Sequence, residues 1–291
     1  MGYEYTGDAH KELVELYRAD ESPFPTDSSR SYPRHDSLRD EPALLKQLLF
    51  PTCWNATELL DDPGETRARL TELGSCIQNG ITAYSDRDAN DLTTIVDGTL
   101  DRLPAIRRTL KNDVEAAYKG DPAAKSYCEI IRSYPGFHAI LTHRVAHLLY
   151  EADSCEYARE LAEYSKVETG IDIHPGAEIG EYFFVDHGTG VVIGETATVG
   201  DWVRIYQNVT LGALHFEEDE EGESHMLAKD YKRHPDIGDH VVIGSGSNVL
   251  GPVEIGDHVS IGSNSWVTDD IPADTSVFIA DHPEQKRKSN R

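Results

Sequence analysis

The sequence predicts an α+β chain in which an N-terminal α-helical domain is followed by a parallel β-helix of hexapeptide repeats. Three observations carry this expectation. Apolar residues return at three and four positions as far as residue 168, as amphipathic helices require. After Gly170 the period changes to six, and the phrase Gly-Asp-x-Val recurs at 200, 238 and 256. A hexapeptide beat of this kind builds short strands whose aliphatics point inward, with glycines turning the corners, so that stacked coils bury a core that no single coil could bury.

In chain order, an amphipathic segment carrying Leu13, Leu16 and Tyr17 comes first, then a Pro/Ser-rich stretch over about 21–38 that reads as a linker or extended arm. The stretches "EPALLKQLLF", "TRARLTELGSCIQNG", "LPAIRRTLKNDVEAAYKG" and "FHAILTHRVAHLLYEA" then supply the helices of a domain spanning 1–168. Across 169–275 the inward series runs Ile173, Ile179 and Val185, takes one step of eight to Ile193, and continues through Val199, Ile205 and Leu211. It resumes at Ile237, Ile243, Val249, Ile255, Ile261 and Val267 without error, and small or β-branched residues (Val241, Ser247, Val253, Val259, Ser265) follow at a fixed offset. Between the two series the rhythm lapses, and 213–236 leaves the coil as a loop with an acidic run over 216–230. Residues 276–291 form a tail.

The chain has 291 residues, 27 basic against 52 acidic, for a formal charge of -25. That balance excludes a phosphate-tracking surface, so no nucleic-acid partner is expected. Cys53, Cys76, Cys128 and Cys155 lack CxxC spacing, and no apolar stretch is long enough for a signal peptide or membrane span, so a reduced cytoplasmic protein is expected. Gly2 and Thr6 fit the loose myristoylation pattern, but no polybasic second signal follows. Abundant carboxylates would suit a high-salt cytoplasm, an expectation that melting curves at low and molar salt decide.

The stretches "DIHPGAEIG", "DHGTGVVIGETATVGDWVRIYQNVTLGA" and "KRHPDIGDHVVIGSGSNVLG", with "GDPAAKSY" and "GFHAILTHR" upstream, resemble serine O-acetyltransferase over roughly residues 118–275. The hexapeptides are shared by many acyltransferases, whereas DIHP, DHGTG, GET and RHP together are specific. The resemblance implies a left-handed β-helix, a homotrimer or dimer of trimers, and active sites in grooves between neighbouring β-helices. It implies L-serine and acetyl-CoA as substrates, with O-acetylserine made on the way to cysteine. The chain departs from the family in its long N-terminus, in "LGALHF", in the acidic loop and in an ending without "GVPAR" or a terminal isoleucine. A complex with O-acetylserine sulfhydrylase is therefore not expected.

Moving acetyl from a thioester to a hydroxyl needs a base, and histidine titrates near the right pH. A carboxylate on its far nitrogen fixes the tautomer and stabilises the imidazolium. The resemblance assigns the base to His187 and the orienting acid to Asp172, while Asp186 and Asp121 would take the substrate ammonium. Arg233 offers a planar fork for the carboxylate. His234 beside it would hold either the reacting hydroxyl or the carboxylate. Backbone N–H groups at Gly212 and Ala213 are candidates to meet charge on the thioester oxygen. Ser245 and Ser263 are placed along the acetyl-CoA groove, although a tight corner would ask for the same small residues. Asp121 in "GDPAA" also reads as a turn residue, and His174 as a turn-stabilising ring or a site residue; His240 and His258 read as solvated corners. No metal site is expected, because the histidines lack zinc-like pairing, which also disfavours a β-helix carbonic anhydrase. The remaining rivals are an acyltransferase for another hydroxyl or amine, such as homoserine or a sugar, and a non-catalytic scaffold that binds through the acidic loop.

Overall fold

The computed structural model describes residues 8–19, 32, 38, 40–218 and 227–279. Most of the Pro/Ser-rich segment, the centre of the acidic loop and most of the tail lie outside these residues.

Among the described residues seven α-helices precede the strands: α1 (Ala9–Ala19), α2 (Asp40–Leu49), α3 (Pro63–Tyr84), α4 (Ala89–Gly120), α5 (Tyr127–Ser133), α6 (Pro135–Glu151) and α7 (Cys155–Thr169). Their ends follow from local chemistry. Asp62 caps α3 by accepting from the N–H of Gly64 at 2.7 Å with Pro63 in the first turn, and Asp88 caps α4 by accepting from Asn90 at 2.8 Å. Gly170 closes α7 in the left-handed region at φ +72. Along α4 the buried face runs Leu92, Val96, Leu103, Ile106, Leu110 and Val114, the spacing of one helical stripe.

From Asp172 the chain winds as a left-handed parallel β-helix of three sheets. The first sheet stacks Asp172–Ile173, Val192–Ile193, Thr210–Gly212, Asn248–Leu250 and Trp266–Val267. The second stacks Glu178–Ile179, Thr198–Val199, Asp236–Ile237 and Glu254–Ile255. The third stacks Phe184–Val185, Arg204–Ile205, Val242–Ile243, Ser260–Ile261 and Ser276–Val277. Register shows what the sequence irregularities do. Thr210 follows Val192 by a regular eighteen positions, Val192 follows Asp172 by twenty, and Asn248 follows Thr210 by thirty-eight. The step of eight thus adds two residues to the first coil, and the loop adds twenty at a later corner, while the strands on either side stay stacked.

Each periodic aliphatic in the stacked strands except Ile179 is buried, and Ser247 and Ser265 are buried with both hydroxyls donating to Gly262 O at 2.9 and 2.6 Å. His240 and His258 are solvent-exposed corners, as expected of them, but they are also part of a column. Tyr182, Trp202, His240 and His258 stack along the edge between the second and third sheets, with centroids 4.1, 6.2 and 4.8 Å apart.

A buried ion pair clasps the two layers. Asp113 of α4 accepts from Arg144 of α6 at 2.9 and 3.0 Å and from Phe183 N at 2.9 Å, and Arg144 also donates to Ile179 O and Gly180 O. Gly136 opens α6 where a β-carbon would stand 2.3 Å from Val185 O, so only glycine allows the helix this close to the coil.

Candidate active site

Apart from Asp172, on the first sheet itself, and Asp121, at the end of α4, the predicted site residues fall on the two edges of the prism that flank the first sheet. On the edge between the third and first sheets stand Asp186, whose N–H still joins the ladder at Ile205 O at 2.9 Å, and His187, which opens the two-residue insertion. Lower coils place Asn208, Gly246 and Asn264 in the left-handed region at this edge, and Gly190 stacks on Asn208. His187, at φ +59, lies outside that column, so the insertion pushes it outward, and its side chain is 73% exposed. Its Nε2 is 3.8 Å from Asp186 Oδ1. Burial raises the Asp186 carboxyl, with His187 pulling the other way. Asp121 at the end of α4 makes the expected turn by accepting from Ala123 N at 2.7 Å, and its other oxygen accepts from the Tyr134 hydroxyl at 2.5 Å. That hydroxyl holds the Asp121 carboxyl below the usual range. Further down the same edge Ser245 Oγ lies 3.2 Å from Ser263 Oγ. Between them and His187, Gln207 has a buried Oε1 with no partner among the described residues.

On the edge between the first and second sheets, Gly212 and Ala213 lead out of the coil into the loop, and the chain returns at Arg233 and His234. The His234 ring is buried against Gly194 and is 7% exposed. Thr196 N donates to His234 Nδ1 at 3.1 Å, and Thr196 Oγ1 lies 2.9 Å from the same nitrogen. Burial, reinforced by Arg233, lowers this imidazole to about 4, so the ring is neutral at pH 7. Arg233 pairs with Glu195, whose other oxygen accepts from the Tyr150 hydroxyl of α6 at 2.7 Å. Burial works to raise the Glu195 carboxyl, and the donors Tyr150 and Arg233 outweigh it. His174 accepts from Gly176 N at 3.0 Å, which is the turn role, and its ring meets Tyr150 edge-on at 5.6 Å.

Asp172 and His187 are not brought together within one chain. The Asp172 carboxylate takes Lys166 Nζ at 2.7 Å and lies 3.9 Å from Arg159, both on α7. It faces out of the first sheet, whereas His187 occupies one margin of that sheet. Sequence reasoning passed over Tyr134, Tyr150, Glu195, Thr196 and Gln207. Only Glu195 and Thr196 carried a signal, inside the motif GET. Among the described residues no group of three His, Cys, Asp or Glu could hold a metal ion, and no helix is long and apolar enough to cross a membrane.

A β-helix of hexapeptide coils with histidine and carboxylate groups on two edges fits the class of hexapeptide-repeat transferases. Two family models agree with it: bacterial transferase hexapeptide (six repeats) matches residues 234–269, and the N-terminal region of serine acetyltransferase matches 68–142. A plasmid serine acetyltransferase of Synechococcus elongatus is 55% identical over 178 residues, which cover 61% of this chain and about half (55%) of that protein. The serine acetyltransferase of Staphylococcus epidermidis is 45% identical over 58% of this chain and 74% of its own length. Isoform 3 of serine acetyltransferase from Entamoeba histolytica, solved in complex with cysteine, superposes with a TM-score of 0.77 at 43% identity, covering 96% of this chain and 93% of that one. The Neisseria gonorrhoeae serine acetyltransferase solved in complex with serine gives 0.55 at 28% identity, covering 88% of this chain and 100% of that one. The chain belongs to the serine acetyltransferase family, an enzyme family.

Proposed function

We propose that this chain moves acetyl from acetyl-CoA to the hydroxyl of L-serine, giving O-acetylserine and free CoA for cysteine biosynthesis in the cytoplasm. The observation that carries this reading is the pair of complementary edges. One holds a base beside two carboxylates (His187, Asp186, Asp121) and the other a cation beside a neutral imidazole (Arg233, His234), which together match an amino acid with its ammonium, carboxylate and hydroxyl.

The halves meet if copies of the chain pack about a three-fold axis with the first sheet inward. In that arrangement each His187 edge would lie against the next copy's Arg233 edge, and Asp172 of one copy would have to serve the far nitrogen of His187 in another. Support comes from the outward face of that sheet, which exposes Val192 and, at 67%, Trp266, two apolar residues a partner would cover. Asp121 and Asp186 would receive the ammonium, Arg233 the carboxylate. His187 takes the hydroxyl proton as the oxygen bonds to the thioester carbon. The carbon–sulfur bond then breaks, and the proton passes to the departing thiolate.

Acetyl-CoA supplies the acetyl group as a thioester. The third–first edge offers it a run of small side chains, with Ser245 Oγ 3.2 Å from Ser263 Oγ. Gly212 and Ala213, on the facing edge, would turn backbone N–H groups to the thioester oxygen.

Release of CoA with serine, homoserine or no acceptor tests the reading. Turnover is expected with serine, and release with homoserine alone would refute the assignment. His187→Ala should fold and lose about 10²–10⁴ in kcat.

A further inference from the structure

The hydroxyl of Thr196 is engaged on every side. Arg233 N and His234 N donate to its Oγ1 at 3.0 and 3.2 Å, so its own proton is left to point at His234 Nδ1, 2.9 Å away. The backbone N–H of Thr196 donates to the same Nδ1 at 3.1 Å. A ring nitrogen that accepts from two donors holds no proton, so the proton of neutral His234 is on Nε2. No side chain among the described residues takes that Nε2–H. Glu195, the preceding residue, does the corresponding work for Arg233. Its carboxylate receives the guanidinium on one oxygen and Tyr150 Oη on the other, while Tyr231 O accepts a second guanidinium nitrogen at 3.3 Å. The ion pair is only 18% and 25% exposed, so the fork is held in one direction before any substrate arrives.

We propose that Glu195 and Thr196 are positioning residues for the acceptor side of the site, Thr196 fixing His234 as a hydrogen-bond donor through Nε2 and Glu195 aiming Arg233. The assignment rests on the reading of the site given above. It divides the labour between the two histidines: His234 donates to an oxygen of the acceptor, carboxylate or hydroxyl, and proton removal is left to His187. It also gives the helical layer a part in acceptor binding, because Tyr150 of α6 braces Glu195 across the corner opened by Gly176, where a β-carbon would stand 3.1 Å from the Tyr150 ring.

Two measurements decide it. In steady-state kinetics, Thr196→Val should raise the serine KM about tenfold or more while the acetyl-CoA KM stays within about twofold, and Thr196→Ser should restore the serine KM to within about twofold. Glu195→Gln should move the serine KM in the same direction. A Thr196→Val enzyme with wild-type constants, or one with both KM values raised alike, would overturn the proposal. In nitrogen NMR of the histidine-labelled wild-type protein near pH 7, the His234 signal, assigned by its loss in His234→Asn, should show an unprotonated Nδ1 and a protonated Nε2. A proton on Nδ1 overturns the proposal even if Thr196→Val does not fold. Wild-type protein that fails to acetylate serine yet shows the stated tautomer refutes the serine reading and leaves the Thr196 clamp standing.

Discussion

At the scale of single residues, the site depends on what is absent as much as on what is present. A β-carbon at Gly194 would lie 2.0 Å from the His234 ring, which is buried and pinned through Nδ1 and so cannot step aside. Gly194→Ala should therefore displace the ring and cut kcat/KM for serine about fivefold or more, the equivalent of about 1 kcal/mol or more of lost transition-state binding; unchanged turnover would show that His234 is free to move. The residues that read as unusual in the sequence were those whose type the core does not require, such as His187 beside Asp186 and Arg233 beside His234. Thr196 and Glu195 looked ordinary because their partners are remote. Thr196 reaches His234 across 38 positions, and Tyr150 reaches Glu195 across 45. Such contacts become visible only when the coil length, with its twenty extra loop residues, is known. Asp172 differs, because its cations, Lys166 and Arg159, are close in sequence, on the preceding helix, and not beside His187.

Among elements, the two periods of the chain gave the helices and the coils their types, because burial of one face is a local demand that repeats. How helices and coils join was not legible, since it depends on a few buried polar atoms. Asp113 and Arg144 are 2% and 9% exposed, and burial pushes the Asp113 carboxyl up to about 6 against the pull of Arg144. Such a pair contributes little by existing but costs much to break, because one partner left alone is a buried charge. Asp113→Ala strands the guanidinium among Ile179 O, Gly180 O and the α4 face, and it also leaves Phe183 N unpaired. Urea unfolding should register a loss of about 3–5 kcal/mol. A loss under about 1 kcal/mol would mean that water replaces the carboxylate and that the clasp is not what holds α4 to the first coil.

For the whole molecule, the proposed half-sites lie on the two margins of one face of a triangular prism, so one chain would not complete a site alone, whereas a head-to-tail contact that closes after three copies would complete all of them. The order of the margins makes this testable without a structure of the assembly. A chain carrying His187→Ala still offers Arg233 and His234 to its neighbour, and a chain carrying His234→Asn still offers His187, Asp186 and Asp121. Each variant alone should be nearly inactive. If the two are unfolded and refolded together in equal amounts, a site is intact when its His187 edge comes from the second variant and its Arg233 edge from the first, which random assembly gives at about a quarter of sites. Recovery of about a quarter of wild-type CoA release is the expected result, and mixing the folded variants without exchange should recover none. Activity that stays absent after verified co-assembly would mean that both histidines serve one site within a single chain, and the three-fold packing drawn from the first sheet would have to be given up.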